Sequence, residues 1–167
     1  MKGIELSNTF TVGDIEFINF GTDEKTGGII GVARHSLFDH RFGPNDNFAV
    51  SDVLDALNDR VLPKLVEDIG EENLLEFEVD LLDPDRPNHY ANLTTKIAIP
   101  TRDFYNNYGV LFDEYSMHEY WWLCSPIRGN VHYVTPNGWL DWGAGLHNKL
   151  GVRPMCIFNP EIFGIIK

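Results

Sequence analysis

The chain has 167 residues, 43% hydrophobic and 13% aromatic, enough apolar material for one domain to bury a substantial core, and a composition that argues against disorder. Its 25 acidic side chains against 13 basic ones leave a net charge of −12, so nucleic-acid phosphates and anionic membrane surfaces should repel it, and direct nucleic-acid binding is not expected. No apolar signal core stands in Met1–Asn8, and no run approaches the roughly 18 consecutive apolar residues of a membrane helix, so neither secretion nor membrane insertion is predicted.

No repeat, low-complexity stretch or linker divides the sequence, and a single domain over residues 1–167 is expected. The charge is uneven: −3 over Met1–Ser51, −9 over Asp52–Arg86 and zero over Pro87–Lys167.

In chain order, Phe10–Phe20 alternates apolar and polar residues around Gly13-Asp14 and predicts a β-hairpin, followed by a strand over Gly28–Ala33. Val50, Val53, Leu54, Leu57, Val61 and Leu65 recur at helical spacing behind Ser51 as N-cap, with Asp52 and Asp55 favouring the helix dipole in the first turn. Pro63 should end this helix or begin a second turn that Gly70 closes. Leu75–Leu81 alternates strictly, which predicts a strand with Leu75, Phe77, Val79 and Leu81 inward and Glu76, Glu78 and Asp80 outward. Those three acids read as a charged edge that discourages pairing, or as a cation site or partner-binding ridge. Thr95–Ile99 reads as a short strand, and Thr101 as the cap of a helix opening at Arg102. From Tyr120 the chain is rich in aromatics and turns. Pro136-Asn137-Gly138 between Asn130–Val134 and Trp139–Trp142 is a strong hairpin signal, and the class is α+β.

Catalytic and metal motifs fail on inspection. His118-Glu119 lacks a second histidine at Trp122, Gly143-Ala144-Gly145 lacks the third glycine of a dinucleotide loop, and Gly27–Gly31 lacks the Lys and Ser/Thr of a phosphate loop. Asp83–Asn88 begins like a calcium loop, but Pro87 takes a ligand position and no glycine makes the turn. His35 with His40, and His132 with His147, have no third ligand at metal spacing, so no metal and no cofactor is predicted. Cys124 and Cys156 sit in apolar surroundings, which predicts buried free thiols, with a nucleophilic Cys124 as the minor alternative.

Trp121-Trp122-Leu123-Cys124-Ser125-Pro126, followed by Gly151-Val152-Arg153-Pro154, resembles the paired signature of an uncharacterised bacterial and phage domain family that reads Trp-Trp-Leu-Arg-Ser-Pro and later Gly-Val-Arg-Pro-Ala. Phe48–Asn58 and Thr94–Thr101 resemble weaker internal motifs of that family. The family is similar in pattern to the C-type-lectin-like fold, shared by formylglycine-generating enzymes and phage receptor-binding tip domains. The resemblance implies a C-type-lectin-like mixed domain of short antiparallel strands, one or two helices and long loops, in which the tryptophan-rich strand and the Gly-Val-Arg-Pro strand pair in the core. It implies a buried Arg153 bonded to backbone carbonyls. Cys124 stands where the family has arginine, which removes a polar contact from that position.

Three functions follow as expectations. The first is a non-catalytic binding or structural module, phage- or mobile-element-encoded, made in the host cytoplasm and carried in the virion or in a homo-oligomer. Its protein or glycan partner would meet the loops around His132, Tyr133, Asn137, Trp139, Asp141, Trp142 and His147, where an aromatic platform sits among polar groups. The second is an acidic inhibitor of a defence nuclease that mimics nucleic acid through Asp52–Asp85. The third is a cysteine-dependent oxidising enzyme using Cys124.

Overall fold

The computed structural model describes residues 3–83 and 90–166. Strands β1 (Ile4–Leu6), β2 (Thr9–Val12), β3 (Ile15–Thr22), β4 (Ile29–Ala33) and β5 (Phe38–Arg41) come first. Gly13 and Asp14, at φ 57° and 66°, form the two-residue turn of the β2–β3 hairpin, with Val12 opposite Ile15. Such left-handed pairs match the twist of the flanking strands.

The capped helix forms as predicted. Ser51 Oγ accepts the Leu54 N–H at 3.0 Å ahead of α1 (Asp52–Ala56). Of the two expectations for Pro63 the second holds: a π-helical turn over Leu57–Val61 leads directly into α2 (Leu62–Ile69), which has Pro63 in its first turn. The wider turn accommodates a ring that would otherwise clash with a preceding carbonyl. Gly70, at φ 87°, closes the helix. Val50 is a correction, because it lies in a 3-10 turn before the cap and is 54% exposed. The Gly13 N–H donates to Asp68 Oδ2 at 2.8 Å, tying the hairpin turn to the end of α2.

The Leu75–Leu81 strand is shorter than its pattern. Burial alternates as expected, but ladder pairing covers only β6 (Phe77–Val79), opposite β7 (Leu93–Thr95). Pairing at Thr95–Ile99 likewise falls short: β7 ends at Thr95, and Ala98 makes a lone bridge to Met155. Thr101 Oγ1 caps α3 (Arg102–Asn107) by accepting the Phe104 N–H at 3.1 Å, and an unanticipated short helix, α4 (Gly109–Glu114), follows.

The remaining strands are β8 (Trp121–Ile127), β9 (Asn130–Val134), β10 (Leu140–Asp141), β11 (Lys149–Val152), β12 (Met155–Phe158) and β13 (Phe163–Ile166). They complete a four-stranded antiparallel sheet, β12-β4-β3-β2, and a five-stranded sheet, β10-β9-β8-β11-β5. Two small pairs, β1-β13 (parallel) and β6-β7, flank them. The class is α+β. The tryptophan-rich β8 and β11, which carries Gly151-Val152, pair in parallel through Gly151 and Trp121. A side chain at Gly151 would drive its Cβ into Ser36 Oγ, so the close approach needs glycine.

Phe10, Phe17 and Phe158 pack with ring centroids 5.0–5.5 Å apart beside the four-stranded sheet. Phe112 of α4 lies 4.9 Å from Phe20 of β3 and 5.5 Å from Trp121 of β8, so α3 and α4 join the two main sheets. Adjacent tryptophans on a strand face opposite ways, yet both are core here. Trp121 meets Tyr105 and Phe112, whereas Trp122 meets Phe42 and donates its Nε1–H to the His40 carbonyl at 2.8 Å.

Candidate functional site: an aromatic sheet edge and an acidic cleft

The hairpin registers decide what the predicted aromatic platform is. Val134 pairs with Leu140 and Tyr133 with Asp141, so the same register sets His132 opposite Trp142. The His132 and Trp142 rings indeed meet at 6.0 Å. Trp139 and Trp142, three residues apart along an extended segment, therefore fall on opposite faces of the sheet edge. Trp139 is 72% exposed and Trp142 44%, with Asn137, Asp141 and His147 also exposed.

Two of the predicted contact residues belong to the core. His132 is 3% exposed with Nδ1 3.1 Å from the Ser125 carbonyl, and burial lowers its pKa below the ordinary histidine value. Tyr133 is 5% exposed, and burial, helped by the charge and hydrogen bond of Asp141, raises its hydroxyl pKa. They are buried because β9 lies between β8 and β10 in a sheet whose β8 is covered on both faces. His147 also lies away from the tryptophans: with Arg41, Asp52 and Asn130 it lines a separate hollow of about 550 Å³, where Arg41 Nε meets Asp52 Oδ2 at 2.6 Å.

The residue the pattern did not single out is Tyr120. It is 49% exposed, its ring lies 6.0 Å from that of Tyr133, and its position one residue before the Trp121–Val134 pair sets it opposite Thr135. Thr135 in turn accepts the Trp139 N–H on its hydroxyl at 3.1 Å and donates its own N–H to the Trp139 carbonyl at 2.8 Å. Tyr120, Thr135 and Trp139 thus form one row across three neighbouring chain segments, with Tyr133 and Asp141 in the next row on the same face. Counting register outward from the Pro136-Asn137-Gly138 turn would have found it.

The acidic residues divide between two settings. Those on α1 and α2 lie on a helix surface, whereas Glu76, Glu78 and Asp80 line a cleft of about 700 Å³. Its floor is Ile30, Met155 and Ile157, and its far wall is the start of α3, where the Arg102 guanidinium contacts Asp103 at 3.2 Å. Of the calcium-loop-like stretch, Pro84–Asn88 lies outside the described residues, and the buried Asp83 carboxylate accepts the Arg128 N–H at 3.1 Å. Among the described residues no three His, Cys, Asp or Glu side chains converge as metal ligands.

Both cysteines are free and fully buried, and burial pushes both thiols well above the ordinary cysteine pKa. Cys124 Sγ lies 3.3 Å from the Ile99 carbonyl, the geometry of a packed thiol and not of an exposed thiolate. Native protein should accordingly react with iodoacetamide at pH 8 at least tenfold more slowly than urea-unfolded protein, read by intact mass. Rapid native labelling of Cys124 would restore the oxidising-enzyme reading.

Comparison of the chain with protein-family models, with curated proteins and with solved structures returned no match. None of the described helices is long and apolar enough to cross a membrane.

Proposed function

We propose that the protein is a non-catalytic binding module whose Tyr120–Trp139 face engages a protein or glycan partner. The carrying observation is the exposed aromatic row at the edge of an otherwise closed aromatic core: Tyr120 and Trp139 are 49% and 72% exposed on one face, while Trp121 and Trp122 beside them are at most 3% exposed. Amphipathic rings rimmed by Asn137 and Asp141 present the mixture of apolar area and directional polar groups that sugar faces and protein hot spots require.

The C-type-lectin-like relationship belongs to the same proposal. It is supported by the β8–β11 pairing and by Arg153, which is buried and bonded to the Ala33 and Arg34 carbonyls as that resemblance implies. In this reading the module is a phage or mobile-element protein, acting in a virion or its receptor-binding apparatus.

The test is a glycan-array and pull-down screen with wild-type, Tyr120→Ala and Trp139→Ala proteins. Each substitution should weaken the binding found by about tenfold or more, the size of a hot-spot loss, without lowering the melting temperature. Retention of full binding by both variants would refute the aromatic face.

A further inference from the structure

We propose that the cleft along β6 is a second binding site, which takes an extended peptide segment carrying lysine or arginine at alternate positions and adds it as a strand to the open edge of β6. It is independent of the Tyr120–Trp139 face.

The shape comes first. A volume of about 700 Å³ falls within the range of formed ligand sites, and the floor is apolar, made by Ile30 and Ile157, which are register partners on β4 and β12, together with Met155. Residues of both alternations of the strand, Phe77 and Val79 as well as Glu76 and Glu78, line this one cleft. A cleft confined to one face of the strand would be lined by one alternation, so this cleft reaches round the backbone edge of β6 as well as over the face that Glu78 shares with Thr94 of β7.

That edge is open. Among the described residues β6 has β7 as its sole partner strand, and the two make a two-stranded ribbon. Isolated two-stranded ribbons are marginal and gain from a third strand, and an unpaired edge supplies the main-chain donors and acceptors for one.

Charge selects the occupant, because Asp23, Glu76, Glu78, Asp80 and Asp103 outweigh Lys25 and Arg102 in the lining. Glu76, Glu78 and Asp80 repeat every second residue on the outward side of the edge, whereas Phe77 and Val79 turn toward the core. A second copy of β6, or any acidic strand, would set like charges opposite one another, which is destabilising. A strand with cations at alternate positions would oppose those acids and lay its intervening apolar side chains over the floor. The same charges that keep the edge from pairing with its own kind thus admit a basic partner.

The test uses the whole chain and a fluorescein-labelled Lys-Val-Lys-Val-Lys peptide, followed by fluorescence anisotropy at low salt. Binding should saturate, weaken at least tenfold in the Glu78→Gln/Asp80→Asn double variant, and vanish for the Glu-Val-Glu-Val-Glu peptide. It should also vanish when alternate amides of the lysine peptide are N-methylated to block strand pairing, and it should be unchanged by Trp139→Ala. The double variant alters exposed side chains, so its melting temperature should match wild type. Absence of saturable binding to the lysine peptide, equal affinity for the N-methylated peptide, or an unaltered affinity in the double variant would each overturn the proposal. Because Trp139→Ala reads the aromatic face alone, failure of one site is distinguishable from failure of the other.

Discussion

Replacing Arg153 by alanine should lower the stability of the fold by about 3–5 kcal/mol, from two carbonyls left without their donor and the cavity opened beside the rings. For a chain of this size that corresponds to a fall of roughly 10 °C in melting temperature. Arg153 is 1% exposed, and its guanidinium does three jobs at one point. Nε and Nη2 donate to the carbonyls of Ala33 and Arg34 at 2.9 and 3.2 Å, at the end of β4. The planar group lies 4.6 Å from the Trp121 ring and 5.6 Å from that of Phe112, filling the space between β8 and α4. Burial lowers its pKa to about 10, which still leaves it charged at neutral pH. Alanine would strand two buried carbonyls and open a cavity between two aromatic rings. Lysine should recover less than half of the loss, because a tetrahedral ammonium cannot stack on Trp121 while bonding both carbonyls. Urea unfolding measures both variants. A loss under 1 kcal/mol for Arg153→Ala would show that the guanidinium is dispensable to the core.

Trp122→Ala should be comparably severe, at about 3–5 kcal/mol, for a different reason. The side chain is 1% exposed, lies edge-on to Phe42 with centroids 5.5 Å apart, and approaches Tyr133 at 6.1 Å. It holds the face of the five-stranded sheet away from the α4 side, and its Nε1–H is bonded to the His40 carbonyl, so β8 and β5 are linked across β11 by a side chain as well as by the ladder. Trp122→Phe should keep most of the packing and cost about 1–2 kcal/mol, chiefly through the unsatisfied carbonyl. Chemical denaturation followed by far-UV circular dichroism supplies the values. Similar losses for the phenylalanine and alanine variants would show that the hydrogen bond, and not the ring, carries the effect.

The sequence revealed much of the local structure and less of the assembly. Elements governed by near neighbours were legible: the Gly13-Asp14 turn, the Ser51 and Thr101 caps, the Pro136-Asn137-Gly138 hairpin and the burial alternation through Phe77 and Val79. Each is set by one residue's backbone preference or by a period of two. What failed depended on distant partners. The strand at Thr95–Ile99 shrank because the chain beyond β7 finds a single bridge among the described residues, at Met155, and α4 escaped notice because Gly109 and a short apolar run give it no start signal. Tyr133 and His132 looked like surface residues because a hairpin strand is normally half exposed, whereas here β9 is an interior strand of five. The aromatic candidates were right about exposure at Trp139 and Trp142 and wrong about their forming one surface, since the two faces of an extended strand separate residues three apart. Glu76, Glu78 and Asp80 were legible as a row, but the cleft they line is made by β4, β12 and α3 and could not be read from their spacing.

The parallel pairing of β1 with β13 has a mechanical meaning. Ile4 lies opposite Phe163 and Leu6 opposite Ile166, so the chain enters the domain at one end of this pair and leaves at the other, running in the same direction. Tension applied through the two flanks would slide one strand along the other and load their bonds together, whereas an antiparallel closure would let those bonds break in succession. Gly3 and Gly164 bring the two backbones so close that a Cβ on Gly3 would collide with the Gly164 nitrogen, leaving little slack for that slide. This two-stranded pair is thus the clasp of the molecule under load, and everything between the two strands is carried as a closed loop that a pull along the chain does not directly reach.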